Sequence, residues 1–220
     1  MIVLLLVAID GPAASGKSTI AKTVADTLKI RHIDSGLIYR AISLKIIRAG
    51  QHILECNEKL VFLLKNTNIT ICDDHIFLDG ELVDDYLKQQ TVNSLVAEIS
   101  YYPAVIKRII MILHDLVGET NSIIDGRNIG TAVFPNARFK FFITAPVRIR
   151  AHRRFLELSN NGIETSLSNV LFNIESRDSI DYSRPFAPLA RHNDAIEINT
   201  DLISCNEAVN IILSYIDSKI

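Results

Sequence analysis

The sequence lacks a strong excess of either charge. Of its 220 residues, 23 are Lys or Arg and 25 are Asp or Glu, which gives a formal net charge of −2. General nucleic-acid binders usually carry a marked basic excess. The charge balance therefore argues against that class, although it is compatible with a local basic cleft for phosphate groups.

Cysteine is scarce as well. Cys56, Cys72 and Cys205 are far apart in the chain and form no C-x-x-C pair. This pattern predicts free thiols in a reducing compartment rather than a disulfide framework. The six histidines show no H-E-x-x-H spacing, so a zinc site built by the protein is not expected.

No apolar run is long enough to cross a bilayer, which takes about 20 residues in a helix. The run from Met1 to Ile9 has no basic residues before it and ends at Asp10. It therefore predicts a buried strand rather than a signal peptide or anchor. With no other targeting segment in the sequence, we expect a cytoplasmic protein that binds no membrane.

What the sequence does have is a regular alternation of strand and helix patterns. The predicted strands are Val3–Ile9, Arg31–Asp34, Ser122–Asp125, Phe139–Thr144 and Ala195–Asn199. The predicted helices are Lys17–Lys29, Leu37–Arg48, Val147–Leu158, Ser166–Asp181 and Glu207–Ser218. This order predicts an α/β fold of three layers, in which a five-stranded, mostly parallel core sheet has helices on both faces.

One stretch, Asn68–Val83, departs from this alternation. Short runs of Ile, Thr, Phe, Leu and Val are separated there by Asp73-Asp74 and Asp79-Gly80, which are turn signals. The pattern predicts a small antiparallel β-meander. We expect one domain over residues 1–220, with this meander in an insertion at residues 63–105.

A phosphate-binding pattern follows the first predicted strand and opens the first predicted helix. Gly-Pro-Ala-Ala-Ser-Gly-Lys-Ser at residues 11–18 matches G-x-x-x-x-G-K-[ST], the P-loop. Backbone N–H groups and the helix N-terminus can surround a phosphate, while Lys17 reaches the β and γ phosphates and Ser18 a Mg²⁺ ion. The predicted ATP-binding residues are Gly11, Pro12, Ala13, Ala14, Ser15, Gly16, Lys17, Ser18 and Thr19.

Polar residues also follow two other predicted strands. Asp34 and Ser35 end the second, with Arg40 about one turn into the next helix. Asp125 and Arg127 end the third, where an Asp can hold Mg²⁺ through water and an Arg can grip phosphate. The plainer alternatives are a capped helix with a surface Arg, and a turn with a solvated charge.

Two sets of charged residues have helical spacing. Arg150, Arg153 and Arg154 share one predicted face, which suggests a basic lid at residues 147–162; the alternative is a solvated basic helix. Arg177, Asp181 and Arg184 are spaced by four and three, so two Arg with an Asp between them could hold a phosphate and a sugar hydroxyl. An ordinary surface ion pair is the alternative there.

With these segments in this order, the chain resembles the bacterial cytidylate kinase family from Val7 to about Thr200. The resemblance implies a P-loop kinase fold and transfer of the γ-phosphoryl group of ATP to CMP or dCMP with Mg²⁺. It also implies that the insertion at residues 63–105 binds the monophosphate and that the lid is mobile. The expected partners are small nucleotides, and we expect a monomer.

The resemblance assigns roles to individual residues. Catalytic roles fall on Lys17, Arg127, Arg150, Arg154 and Arg177. Acceptor binding falls on Asp34, Ser35, Tyr39, Arg40, Arg127, Asn128, Arg177, Asp181 and Arg184. Ser18 and, through water, Asp125 would hold the metal ion.

The chain departs from the family pattern where the base is read. It has Asn128, Ile106 and Ala97 where the family commonly has Asp, Arg and Ser, so another acceptor such as UMP, or a non-nucleotide alcohol, stays open. A non-catalytic nucleotide-binding regulator is the alternative from another class. A GTP-binding switch would need an N-K-x-D segment, which the sequence lacks, and a motor ATPase would need paired acidic residues where only Asp125 stands.

Overall fold

The computed structural model describes residues 4–50 and 58–219, so Val3 and Cys56 lie outside the described residues. The chain forms two compact units. The first takes its described residues from Met1–Ile33, Glu119–Ser183 and Pro188–Ile220, and the second comprises those of Asp34–Gly118 and Arg184–Ala187. The predicted insertion at residues 63–105 lies within the second unit, and the single-domain organisation stays a prediction.

The strands and helices follow one another as expected through most of the chain. The strands are β1 (Leu6–Asp10), β2 (Arg31–Asp34), β3 (Ile69–Cys72), β4 (His75–Leu78), β5 (Glu81–Leu82), β6 (Ser122–Gly126), β7 (Phe139–Thr144) and β8 (Ile196–Asn199). The helices are α1 (Lys17–Leu28), α2 (Ser35–Arg48), α3 (Glu58–Lys65), α4 (Gln90–Ile99), α5 (Pro103–Val117), α6 (Val147–Asn160), α7 (Leu167–Ser183) and α8 (Cys205–Asp217).

A five-stranded sheet in the order β2-β6-β1-β7-β8 forms the centre of the fold. Strand β1 pairs in parallel with both β6 and β7, and β7 pairs in parallel with β8. The predicted α/β class with a mostly parallel five-stranded sheet is therefore confirmed. The carboxyl ends of β1 and β6 are neighbours, since Asp10 lies opposite Gly126. The polar residues that follow these strands are thereby brought to one edge of the sheet.

The core of the first unit shows why these segments fold together. Side chains at alternate positions of a strand point to the same face, and Val7 and Ile9 of β1 pack with Phe139 and Phe141 of β7 against the buried sides of α1 and α8. Helix α8 begins with a capping box, in which Ser204 and Glu207 satisfy each other's backbone N–H groups. Local capping and apolar periodicity therefore agree for this helix.

The second unit contains the predicted meander. Strands β3, β4 and β5 form a three-stranded antiparallel sheet. Both turns have two residues with positive φ, Asp73 and Asp74 at 48° and 64°, and Asp79 and Gly80 at 52° and 87°. Two consecutive positive φ angles define the type I′ turn, whose twist suits a two-residue hairpin.

The sequence expectations contain no helix between residues 49 and 121, whereas the structure has α3, α4 and α5 there. Helix α5 begins at Pro103, whose missing N–H is harmless in the first turn. Among residues 4–50 and 58–219, no helix is both long and apolar enough to cross a membrane. Cys72 and Cys205 are exposed free thiols.

Candidate active site

The loop between β1 and α1 has the conformation that its two glycines allow. Gly16, at the start of α1, has φ 90° and ψ 1°, a left-handed conformation that most residues avoid. A Cβ on Gly11 would collide with the backbone oxygen of Ile143 in β7. The first glycine is therefore needed for close approach to the sheet, and the second for the turn into the helix.

Lys17 and Ser18 lie where the P-loop pattern places them. Lys17 is buried, and its Nζ donates to the backbone oxygen of Pro12 at 3.3 Å, so the side chain folds back over the loop. The Ser18 hydroxyl donates to Oδ2 of Asp125 at 2.5 Å. Asp125, at the end of β6, is 1% exposed. The loop lysine, the hydroxyl and the carboxylate are thus gathered at the carboxyl ends of β1 and β6.

This donor set fits a magnesium ion. Mg²⁺ prefers hard oxygen ligands and usually takes only one or two from protein, with water and phosphate supplying the others. Ser18 and Asp125 offer one hydroxyl and one carboxylate. The second carboxylate oxygen of Asp125 lies 2.8 Å from Nε2 of His32 in β2. His32 therefore fixes the orientation of Asp125, a role that the sequence did not suggest.

Asp10 shapes the neighbouring turn, at the end of β1. Its two carboxylate oxygens accept hydrogen bonds from the backbone N–H groups of Ile129 and Gly130, both at 2.7 Å. Burial raises the pKa of Asp10 to about 6, and the two backbone donors limit that rise. The single π-helical turn Ile129–Val133 begins at these residues, so Asp10 holds the segment that follows Arg127 and Asn128.

Arg127 and Asn128 lie immediately before this held segment. Nε of Arg127 donates to Oδ2 of Asp181 on α7 at 2.7 Å. Burial opposes the charged form of Arg127, but the charge of Asp181 and this hydrogen bond outweigh that effect and raise the pKa of Arg127. Asn128 is buried, and its Nδ2 has no hydrogen-bond partner among the described residues. A buried amide of this kind can serve a polar ligand.

Three of the four arginines of α6 lie in three different environments, rather than on one free basic face. Arg150 is 6% exposed and donates to Asp178, Ala13 and Ala145. Arg153 donates to the hydroxyl and the carbonyl of Thr200. Arg154 is exposed and pairs with Glu157, one turn along the helix. The catalytic roles predicted for Arg150 and Arg154 stay predictions.

Several acceptor residues belong to the second unit. Asp34 caps α2 by accepting from the N–H of Gly36 at 2.7 Å, and its other oxygen lies 3.3 Å from a terminal nitrogen of Arg40. Ser35 is buried and Tyr39 half-buried on the same helix. Arg184 is buried, with its Nε donating to the backbone oxygen of Ala187. Asp34 therefore orients Arg40, as a phosphate-binding arginine needs.

The structure thus gathers one part of the predicted site. The P-loop, Asp125, Arg127, Arg150 and Asp181 belong to the first unit, where the contacts above connect them. Arg177 is on α7 in the same unit and is exposed. Arg184 is not part of the predicted helical face, because α7 ends at Ser183 ahead of Pro185. That the acceptor residues of the two units serve one molecule stays a prediction.

Three buried or half-buried residues of the site escaped sequence analysis. Asp10 was taken only as the end of an apolar run, and Asp178 adjoins Arg177 without a signal of its own. The partners of these residues lie far away in the sequence, 119 residues for Asp10 and 165 for Asp178. His32 pairs with Asp125 across 93 residues. The signal for Asp10 was its place at the end of the first predicted strand, and His32 had no signal beyond its place within the second.

Comparison with known proteins decides the family. The family model described as cytidylate kinase matches residues 7–218. The chain belongs to the cytidylate kinase family. The cytidylate kinase of Clostridioides difficile strain 630 is 40% identical over 215 residues, covering 97% of this chain and 98% of the relative. The cytidylate kinase of Alkaliphilus oremlandii is 39% identical, and the match covers 94% of this chain and 95% of the relative. The predicted family and the enzyme class, a nucleoside monophosphate kinase, are confirmed.

Solved structures agree on the fold of this cytidylate kinase family member. A shikimate kinase from Bacteroides thetaiotaomicron has a TM-score of 0.51 at 14% identity, with 98% of this chain and 99% of that chain covered. An uncharacterised protein from Eubacterium ventriosum has a TM-score of 0.53 at 16% identity, with 99% and 100% covered. At these identities the likeness concerns the fold alone, and it confirms the predicted P-loop kinase architecture.

Proposed function

We propose that this protein transfers the γ-phosphoryl group of ATP to CMP or dCMP, assisted by Mg²⁺. The observation that carries the proposal is the joining of the P-loop to Asp125 through Ser18, at 2.5 Å, in a member of the cytidylate kinase family. The lysine, the hydroxyl and the carboxylate account for binding of a metal-bound triphosphate, and the family match accounts for the choice of a phosphoryl-transfer reaction.

The residues of the first unit account for the donor side. Backbone N–H groups of the P-loop and the N-terminus of α1 attract the β phosphate. Lys17 would exchange its weak contact with the Pro12 oxygen for the β and γ phosphates, because a charged oxygen is the stronger acceptor. Ser18 and, through water, Asp125 would hold the magnesium ion, which would supply positive charge to offset the negative charge that develops during transfer.

On the acceptor side, most of the proposed contacts are made by positively charged side chains. Arg40 and Arg184 in the second unit, and Arg127 and Arg177 in the first, would hold the monophosphate, and Asp181 the sugar hydroxyls. Asp181 already accepts from Arg127 at 2.7 Å, which fixes the direction of that guanidinium group. Positioning and charge stabilisation suffice for phosphoryl transfer in line, so no covalent enzyme intermediate is needed.

The partners we propose are the nucleotides alone, with the protein acting as a monomer. The test is an assay with ATP, Mg²⁺ and each of CMP, dCMP, UMP, AMP and GMP, in which every diphosphate is separated and quantified. We expect CDP or dCDP at the highest kcat/KM. A preference for UMP would show that Asn128, Ile106 and Ala97 have changed the base preference, and the absence of any diphosphate would refute the kinase assignment.

A further inference from the structure

The P-loop is fastened to two helices by a pair of buried charges. Asp178 of α7 accepts from the N–H of Ala13 at 3.1 Å, and Arg150 of α6 donates to the C=O of the same residue at 2.9 Å. Arg150 and Asp178 contact each other at 2.6 Å. Both polar groups of one P-loop residue are therefore held by side chains that hold each other.

This arrangement changes what Ala13 can do. An N–H that donates to Asp178 is engaged away from any phosphate, so Ala13 serves as an attachment point, and the later residues of the loop supply the phosphate donors. Nε of Arg150 also donates to the backbone oxygen of Ala145, just after β7, at 2.8 Å. The guanidinium group thus joins α6, the end of β7 and the P-loop in one buried network.

A second support from α6 meets the loop two residues further on. Arg153 donates to the Thr200 hydroxyl at 2.9 Å, and that hydroxyl lies 3.3 Å from the backbone oxygen of Ser15. Ala13 and Ser15 flank the turn at Ala14, whose φ is +56°, a left-handed value that is unfavourable for a non-glycine residue. The supports from α6 and α7 therefore act on both sides of the strained position.

We propose that Arg150 and Asp178 are positioning residues for the donor nucleotide: they hold Ala13, and through it the phosphate-binding shape of the P-loop. The proposal rests on the kinase function proposed above and refines it. It differs from the role that the family resemblance gives Arg150, which is contact with the transferring phosphoryl group. Here Arg150 acts through Ala13 rather than on the substrate.

The experiment measures the affinity of the non-hydrolysable analogue AMP-PNP with Mg²⁺ by titration calorimetry, together with KM for ATP and for CMP. The main variant is Asp178→Ala, which removes the acceptor for Ala13 and the partner of Arg150. Glu175→Gln is the matched control, because Glu175 is an exposed acid one turn away on α7. Thermal unfolding of each variant shows whether it is folded at the assay temperature.

We expect Asp178→Ala to weaken AMP-PNP binding by about 10- to 100-fold, a range typical of residues that orient a ligand-binding group. KM for CMP should stay within about twofold, and Glu175→Gln should match the wild type. If Asp178→Ala does not fold, the double variant Asp178→Leu with Arg150→Met removes both charges and both hydrogen-bonding groups together, and it leaves neither charge unpaired. The same loss of AMP-PNP affinity is expected for it.

A folded variant that binds AMP-PNP within about twofold of the wild type would overturn the proposal, and so would equal losses of ATP and CMP use, which indicate general disruption. Because AMP-PNP binding requires no turnover, the result is separate from the kinase assignment. If the wild type makes CDP and Asp178→Ala binds AMP-PNP normally, this inference alone is refuted. If the wild type binds AMP-PNP but makes no diphosphate, the proposed function alone is refuted.

Discussion

Two ion pairs of the first unit and two of the second differ in how far they are removed from water. In the first unit, Arg150–Asp178 has side chains 7% and 10% exposed, and Arg127–Asp181 has 15% and 7%. In the second unit, the side chains of Arg48 and Glu81 are 35% and 52% exposed, and those of Lys88 and Asp85 are 76% and 96% exposed. All of these pairs have N–O distances below 3.0 Å, so distance alone does not distinguish them.

The difference in burial predicts a difference in consequence. An exposed pair contributes about 1 kcal/mol or less, because water and salt screen the charges. A buried pair costs much to desolvate, and removing one partner leaves a charge that nothing compensates. Buried pairs beside a phosphate-binding loop are therefore costly features with a functional use, whereas the exposed pairs of the meander region are replaceable.

The largest effect is expected for Lys17→Ala. Removing the buried lysine takes away the charge that is proposed to contact the transferring phosphoryl group, so kcat should fall by about 100- to 1,000-fold, as for loss of one preorganised donor. The control is Lys22→Ala, which changes an exposed lysine of the same helix, and its kcat should be close to that of the wild type. Steady-state kinetics decide, and near-normal turnover of Lys17→Ala would contradict the role.

Asp10 should give stability a pH dependence that reveals its burial. Its pKa is raised from 3.8 to about 6, so the folded state favours the protonated form. The stabilising contribution is full below pH 4 and is lost as the pH rises through 6. The free energy of unfolding of the wild type, relative to Asp10→Asn, should therefore fall by about 2 kcal/mol between pH 4 and 7.

An exposed carboxylate provides a control with the opposite sign. Glu207 accepts from the backbone N–H and the hydroxyl of Ser204, which lower its pKa. Its contribution is present at neutral pH and is lost as the pH falls through the folded-state pKa. The difference in free energy of unfolding between the wild type and Asp10→Asn should fall as the pH rises from 4 to 7, whereas the difference between the wild type and Glu207→Gln should rise with pH below the ordinary Glu value of 4.5. Changes of the same sign would be inconsistent with the comparison.

Arg184→Ala should affect the acceptor more than the donor. The buried guanidinium group is assigned to the monophosphate, and a hydrogen bond to a charged group is worth about 1.5 to 3 kcal/mol. KM for CMP should therefore rise by about 10- to 100-fold. Arg191→Ala, which removes an exposed arginine paired with Glu197, is the control. A defect confined to ATP affinity would show that Arg184 belongs to the donor side.

The smallest effect is expected for Arg48→Gln. Arg48 pairs with Glu81 and stacks over the ring of Tyr86, with its guanidinium carbon 4.8 Å from the ring centre. Because both contacts are partly exposed, the free energy of unfolding should fall by about 1 kcal/mol or less. Turnover should be unchanged. If denaturant unfolding shows that the free energy of unfolding falls by several kcal/mol, exposed pairs contribute as much as buried ones, and the comparison is wrong.

The parts of the fold that could be predicted from the sequence are those encoded locally. The P-loop is a contiguous strand, loop and helix, and each of its residues is recognisable from the pattern. The I′ turns at Asp73-Asp74 and Asp79-Gly80 are equally local, because the residues that adopt positive φ angles are those that tolerate them. Local signals of this kind also gave the ends of α2 and α7 within a few residues.

The rest could not be predicted, because it depends on partners that are distant in the sequence. Nothing near Asp178 indicates that it will receive the N–H of Ala13 across 165 residues. The spacing of Arg150, Arg153 and Arg154 suggested one shared task, but the structure gives each a different partner. Helices α3 to α5 are a different case, because apolar residues such as Val105, Ile109 and Ile112 do have helical spacing, and the predicted elements nevertheless left these helices out.

The central proposal is that Lys17 holds the phosphates of the donor nucleotide, and that Arg40, Arg127 and Arg184 hold the phosphate of the acceptor. The most direct test is a crystal structure with a bisubstrate analogue in which adenosine and cytidine are joined by five phosphates. The account predicts Lys17 on the phosphates nearest adenosine, and Arg40, Arg127 and Arg184 on those nearest cytidine. An analogue bound by the P-loop, with none of these three arginines touching a phosphate, would contradict it.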